Sequence, residues 1–322
     1  MSKLYLVTGG AGFIGSSLVR RLLQDGHRVR VLDNLSRGHA GRLADVSDRV
    51  EFVEADVRDA DAVGRAARGV ESLCHLASVN GTEWFYSKPE TVLDVGVKGV
   101  VNTIDACLTH DVPEYVLASS SEVYQTPPTI PTDESAPLSV PDPLNPRFSY
   151  GGSKIISELM ALNYGRRRLK RVLVVRPHNV YGPDMGREHV IPQLILRAAA
   201  LATEHPHGAV PFPIQGDGSQ TRAFMHIDDF TDGLAIVMER GAHLNIYHVG
   251  NDAEVTIRRL ARLIFERIGR DFQIIPGALT AGSPERRRPC IDKLRALGYR
   301  PRVSLRDGLA GTIGWYLANH RS

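Results

Sequence analysis

Lys3-Leu-Tyr-Leu-Val-Thr8-Gly9-Gly-Ala-Gly12-Phe13-Ile14-Gly15 runs six residues rich in strand formers into three glycines at positions 9, 12 and 15. Leu18, Leu22 and Leu23 then recur at helical spacing as far as Asp25-Gly26, so the stretch reads as strand, glycine-rich turn and helix. Glycines so spaced permit a tight turn, let main chain approach a pyrophosphate and allow close helix packing, while the helix N-terminus faces the phosphates. Gly9, Gly12 and Gly15, with Phe13 and Ile14 between them, are therefore expected to contact a dinucleotide.

The next segments repeat the alternation. The second strand, Arg28 to Leu32, ends in Asp33-Asn34, eighteen residues after Gly15. A carboxylate there accepts from both adenosine ribose hydroxyls and repels a 2′-phosphate, which favours NAD over NADP. Ser36 belongs to the same loop, and Arg37 beside it reads as a solvated loop arginine or as a 2′-phosphate ligand. The third strand, Val50 to Ala55, ends in Asp56-Val57, suited to the adenine edge, although Asp56 equally fits a helix cap. The fourth, Glu71 to Leu76, places Leu76, Ala77 and Ser78 at its carboxyl end, where doubly wound sheets hold their ligands.

Val79 to Lys88 mixes glycine, aromatics and polar residues and reads as a loop over a pocket; Pro89 then opens a helix to about His110. A fifth strand, Tyr115 to Ala118, delivers Ser119-Ser120-Ser121-Glu122. Thr126 to Pro146 holds seven prolines in 21 residues, which precludes regular structure. A sixth strand, Arg171 to Arg176, leads to Pro177, the last expected cofactor contact. The alternation predicts an α/β fold over residues 1–177, a Rossmann-type doubly wound parallel sheet with right-handed crossovers. Residues 178–322 lose that regularity. They predict a smaller mixed α/β C-terminal lobe for substrate, some of whose segments return to the sheet. Its helices fall near 190–203, 227–240 and 257–268, with a strand pair flanking Asn245 to Val249 and a Gly216-Asp217-Gly218 turn.

Composition narrows the function. A chain of 322 residues with 43% hydrophobic and 23% charged residues is ordinary for a globular protein, and a formal charge of +3 with scattered arginines argues against nucleic acid. A phosphorylated small molecule fits better. Cys74, Cys107 and Cys290 show no CxxC spacing, so no disulfide or metal site is expected. The chain begins Met-Ser-Lys without a signal-peptide layout, and no apolar run reaches about 18 residues, so no membrane partner and a cytoplasmic location are expected.

Tyr150-Gly-Gly-Ser-Lys154 carries the chemistry. A tyrosine and a lysine four apart on a helix share a face, so the ammonium is expected to depress the phenol's pKa and ready it as a base toward a hydroxyl.

Taken together, Thr8 to Gly15, Asp33-Asn34-Leu35-Ser36, His75-Leu76-Ala77, Ser119 to Tyr124, Tyr150 to Lys154, Arg176-Pro-His-Asn-Val-Tyr-Gly-Pro183 and Gly216 to Arg222 resemble the extended short-chain dehydrogenase/reductases that act on nucleotide sugars, the NAD-dependent epimerase/dehydratase family. The resemblance spans the chain. It implies that Tyr150 takes the proton from a sugar hydroxyl, usually at C4, as hydride passes to NAD; that Lys154 tunes the tyrosine and holds the nicotinamide ribose; and that Ser120 hydrogen-bonds the same hydroxyl. It places Ser121, Asn179, Arg222 and one of Arg286 to Arg288, first Arg286, on the nucleotide diphosphate sugar, for which a bidentate guanidinium is suited. The triple arginine also fits a solvated basic face. A homodimer through the two long helices is the family expectation.

Glu122 separates the possible reactions. Dehydratases and decarboxylases of the family commonly carry glutamate there as a base at C5, whereas a 4-epimerase needs none; the residue also fits a role fixing the loop. The Asn80 to Phe85 loop and Gly186-Arg187-Glu188-His189 resemble GDP-mannose 3,5-epimerases, in which the His189 position joins the Glu122 position in a two-base reaction. His189 could then serve as an acid titrating near neutrality, or be a loop histidine. Gln125 and Gly96 depart from the family's usual glycine and asparagine. The expected activity is redox-neutral epimerisation of a UDP- or GDP-linked sugar through a 4-keto intermediate, at C4 by default and C3/C5 otherwise. The alternative is a 4,6-dehydratase or decarboxylase. A catalytically silent NAD(H)-binding regulator has no need for Ser120, Tyr150 and Lys154 together.

Overall fold

The structure, a computed structural model, describes residues 2–278 and 285–319. Strands β1 (Leu4–Thr8), β2 (Arg28–Asp33), β3 (Val50–Glu54), β4 (Ser72–His75), β5 (Glu114–Ala118) and β6 (Arg171–Pro177) alternate with helices α1 (Phe13–Gln24), α2 (Ala60–Ala67), α3 (Thr82–Ser87), α4 (Pro89–Thr109) and α5 (Ser149–Arg168). There follow β7 (Val180–Tyr181), α6 (Val190–Glu204), β8 (Val210–Gln215), β9 (Thr221–Ala223), β10 (Met225–His226), α7 (Ile227–Arg240), β11 (Asn245–Val249), β12 (Glu254–Thr256), α8 (Ile257–Ile268), β13 (Phe272–Gly277), β14 (Arg286–Arg287), α9 (Asp292–Ala296) and α10 (Leu305–Ala318).

The central sheet has seven parallel strands in the order β11-β6-β5-β4-β1-β2-β3. Every residue of β1 and β4 is buried, the continuous pattern of strands covered on both faces. Leu6 packs toward α2, α4 and α5 with Val63, Val100 and Ala161, while its neighbour Val7 packs toward α1 and α7 with Leu18, Phe230 and Val237. This two-residue alternation produces a three-layer sandwich. Strand order reverses between β1 and β4, and the crevice of a doubly wound sheet opens at such a reversal. A third apolar cluster, formed by α6, α8, α10 and β8 around Phe212, Phe265 and Ile313, lies in the C-terminal part of the chain.

Two segments depart from expectation. Asn245–Val249 is the seventh strand of the main sheet, in register with Leu173 to Pro177, because its apolar residues complete the layer under α7. The aromatic stretch after Val79 is not wholly loop: residues 82–87 form α3, which buries Phe85.

The two unusual residues have packing reasons. A Cβ on Gly96 would lie 2.7 Å from Ser153 Oγ, so α4 and α5 approach too closely for a side chain there. Gln125 adopts φ 53°, the left-handed region, and its amide donates to the Glu122 carbonyl at 2.6 Å, passing over the bare face of Gly151. Among the described residues, no helix is long and apolar enough to cross a membrane.

Candidate active site

A cleft of about 410 Å³ follows the carboxyl ends of the strands. Its dinucleotide limb is built on the glycine turn. Gly9 has φ +72° and a Cβ there would lie 2.8 Å from the Ala77 nitrogen; a Cβ on Gly15 would overlap the Gly9 carbonyl. Gly12 precedes α1 without any side-chain cap, and the first turn has no acidic residue, so amides and helix dipole are presented unopposed. Asp33 Oδ2 accepts from the Ala11 amide and Oδ1 from the Leu35 amide, both at 2.9 Å. The carboxylate is thereby fixed at the end of β2, and each oxygen keeps lone pairs for a ribose hydroxyl.

Asp56 also lines the cleft, holding Asn34 Nδ2 at 2.7 Å and the Arg58 fork at 2.8 and 2.9 Å. Arg58 brings its carboxyl down to about 2. The helix cap that Asp56 equally fitted is supplied by Asp59, which accepts from Ala62. Phe13, Ile14, Asn34, Ser36, Val57, Leu76, Ala77, Ser78 and Pro177 all border this limb. These residues fit NAD.

Arg37 is no solvated loop arginine. It pairs with Glu188, and its guanidinium carbon lies 5.5 Å from the centre of the Trp84 ring. Arg42 grips Asp184 beside it at 2.8 and 3.0 Å. The loop after β2 is thus tied across the cleft to the segment ahead of α6.

The second limb holds the groups expected to react. Tyr150 sits in the first turn of α5 and Lys154 one turn later, both almost fully buried. Lys154 Nζ donates to the Ala118 carbonyl at 2.8 Å and lies 5.6 Å from the tyrosine ring centre. The expectation that the ammonium readies the phenol is not met in this state: burial pushes Tyr150 up to about 12, opposed by hydrogen bonds from Ser120 and Ser78 rather than by Lys154. The ammonium is engaged by a main-chain carbonyl. Burial brings Lys154 itself down to about 8, against the pull of Glu158. Ser120 is held by its own loop, its Oγ accepting from the Glu122 amide at 3.1 Å.

Glu122 lies between two arginines, Oε1 2.6 Å from Arg287 and Oε2 3.2 Å from Arg147. Burial acts to raise its pKa, but Arg287 and Arg147 outweigh it and the carboxyl is held below the usual range. His189 lines the cleft, yet burial and then Arg37 hold its pKa down, so the imidazole is neutral where the sequence suggested an acid near neutrality.

The remaining expected ligands separate. Ser121 and Asn179 line the cleft, Asn179 with φ 42° and its amide donating to the Ala223 carbonyl at 3.0 Å. From the triple arginine, Arg287 reaches the cleft, not Arg286: Arg286 turns outward to Glu254 at 2.6 Å. The strand period of β14 forces this, since neighbours point to opposite faces. Arg222 does not line the cleft; its guanidinium donates to the Thr221 carbonyl at 2.7 Å, and burial followed by Arg287 brings it down to about 10.

Beneath the site, Glu158 binds Arg176 through both oxygens at 2.8 and 2.6 Å and accepts from Ser119 Oγ at 2.5 Å. This buried pair anchors the Ser119–Glu122 loop to α5 and β6. The sequence did not point to Arg147, named Arg287 only as one of three arginines, and drew Glu188 and Phe85 into resembling stretches without giving either a role. For Arg147 the available signal was local, a charge three residues ahead of Tyr150.

A buried tyrosine with a lysine one turn on, where a dinucleotide cleft ends, is an arrangement suited to proton transfer beside a nicotinamide. Residues 5–250 match the NAD dependent epimerase/dehydratase family model. The chain is 32% identical to a dTDP-glucose 4,6-dehydratase of Streptomyces antibioticus, over 98% of this chain and 92% of the relative. It is 34% identical to a UDP-glucose 4-epimerase of Mycolicibacterium smegmatis, over 97% of each. Among solved structures, the dTDP-glucose 4,6-dehydratase of Streptomyces venezuelae with NAD bound superposes with a TM-score of 0.85 at 34% identity, over 99% of this chain and 98% of that one. The chain belongs to the NAD-dependent epimerase/dehydratase family. It is an enzyme of that class, and its cofactor is NAD.

Proposed function

We propose that this enzyme epimerises a nucleotide-diphosphate sugar at C4 without net redox change, through a 4-keto intermediate. The carrying observation is the state of Glu122, a carboxylate close enough to act on Tyr150 and the kind of group that a carbon-acid reaction would need as base. It is ionised and neutralised by two arginines, which weakens it as a base and suits it to organising the loop. NAD, which the glycine turn and Asp33 would hold, would supply reversible hydride acceptance at the sugar carbon.

The chain's own work is to position and to move one proton. Ser120 and Tyr150 meet the sugar hydroxyl, with Tyr150 as proton acceptor and then donor. Lys154, released from the Ala118 carbonyl, lowers the phenol and steadies the nicotinamide ribose. Residues 1–177 supply the cofactor limb; residues 178–322, through Asn179 and Arg287, grip the nucleotide diphosphate, with Arg222 behind Arg287. Exposed Leu93, Ile156, Leu159 and Tyr164 on α4 and α5 support a homodimer through those helices, and three unpaired cysteines agree with a cytoplasmic location.

A second reaction is favoured by the same residue's place. Glu122 lines the sugar limb, so a substrate anion that drew Arg287 away would free it as a C5 base for 4,6-dehydration or decarboxylation. Incubating the protein with UDP-, dTDP- and GDP-hexoses and UDP-glucuronate separates these outcomes. A C4 epimer without solvent deuterium supports the proposal. A 4-keto-6-deoxy product or carbon dioxide selects the second reaction. Loss of neither rate nor product in Tyr150→Phe would overturn both.

A further inference from the structure

The buried face of α3 supplies something the proton-transfer chemistry leaves open, namely what fixes the plane of the catalytic ring. Phe85 is 3% exposed, and its ring stacks on Tyr150 with centroids 5.3 Å apart and planes 12° from parallel. The Arg147 guanidinium carbon lies 5.6 Å from the Phe85 centroid, and Arg147 is bonded in turn to Glu122. Lys154 lies over the tyrosine ring as well, 5.6 Å from its centroid. The two aromatic rings are therefore stacked against each other, each with a cation over it, and Glu122 is paired to the cation over Phe85.

We propose that Phe85 is a positioning residue for Tyr150, holding the phenol in the plane from which it reaches Ser120 and the substrate hydroxyl and keeping water from its ring. This rests on the proposed proton transfer at Tyr150. The physics is that of any near-attack geometry: an aromatic side chain has a broad, two-fold χ2 well, so the torsion alone does not fix the ring plane. A near-parallel partner does fix it. Tyr150 is 5% exposed within the core cluster that also holds Phe85, and the hydrogen-bond partners of its hydroxyl are the small serines 120 and 78. The neighbouring Trp84 engages Arg37, so α3 also touches the tie across the cofactor limb and is held from both sides.

Phe85→Leu keeps most of the apolar volume and removes the parallel ring, and Phe85→Tyr restores a ring. Kinetics are read on the nucleotide sugar that wild type turns over. Expected for Phe85→Leu is a kcat lower by roughly tenfold to a hundredfold with KM little changed, and recovery of most of it in Phe85→Tyr. In a Tyr150→Phe background, Phe85→Leu is expected to add no further loss, because the ring it positions no longer reacts. An unchanged kcat, or a loss that simply multiplies in that background, would overturn the proposal.

A readout without substrate separates this from the proposed reaction. In protein labelled with ring-13C tyrosine, the signal that vanishes in Tyr150→Phe belongs to Tyr150. In Phe85→Leu it is expected to lose its ring-current shift and to titrate at lower pH than in wild type, as water reaches the phenol. A signal unmoved in position and titration would refute the role even if no sugar were turned over.

Discussion

Replacing Glu122 by glutamine decides whether that side chain is a base or an anchor. The substitution keeps the shape and one acceptor and removes the charge between Arg287 at 2.6 Å and Arg147 at 3.2 Å. Breaking a fully buried pair costs about 3–5 kcal/mol. Here the carboxylate is 18% exposed and its partners 15% and 25%, and glutamine still accepts one bond, so we expect a loss of about 2–3 kcal/mol. Denaturant unfolding at pH 7 measures it. The sign with pH follows from the lowered pKa of the folded state. The stabilisation is complete above the unfolded value of about 4.5 and is lost as pH falls through the folded one, so wild type and variant should converge on acidification below about 4.5. Turnover gives the decisive number. Removing a positioned general base lowers kcat by about 10²–10⁴, whereas loosening an anchor that leaves Ser120 and Tyr150 in place should cost about tenfold or less. A loss above about a hundredfold, together with wild-type product carrying solvent deuterium at C5, would refute the anchor role and install Glu122 as a base.

Three further outcomes are expected. Lys154→Met should abolish turnover yet stabilise the cofactor-free protein at pH 7 by about 1–3 kcal/mol, since burial holds the ammonium down at about 8 against the ordinary lysine value of 10.5; the gain should shrink as pH rises from about 8 to 10.5 and the wild-type lysine discharges, and a variant less stable at pH 7 would contradict this. Glu158→Gln leaves Arg176, 2% exposed, without its counter-charge, and should lower unfolding free energy by about 3–5 kcal/mol in urea titration; a loss under about 1 kcal/mol would show the pair to be dispensable. Gly15→Ala puts a methyl into the Gly9 carbonyl and should weaken NAD binding, measured by nicotinamide fluorescence, far more than the same change at Gly26, whose surroundings are open.

The sequence by itself determined the cofactor half. Glycines at 9, 12 and 15, an acid closing the second strand and the periodic strand–helix alternation are local patterns, and each acts through the turn or strand that contains it. The Tyr150–Lys154 spacing was likewise legible, because a helical turn brings the two together regardless of the rest of the chain. What only tertiary structure decided was which groups meet across distance. Asn245–Val249 shows no local sign of being the seventh strand, since its partner lies some seventy residues earlier. The triple arginine could not say which member enters the cleft until β14 fixed the alternation and sent Arg287 inward and Arg286 to Glu254. Charge states followed the same rule. Proximity along the helix suggested a phenol lowered by Lys154, but burial of the phenol and then the Glu122 charge raise it instead, and no one-dimensional pattern encodes desolvation.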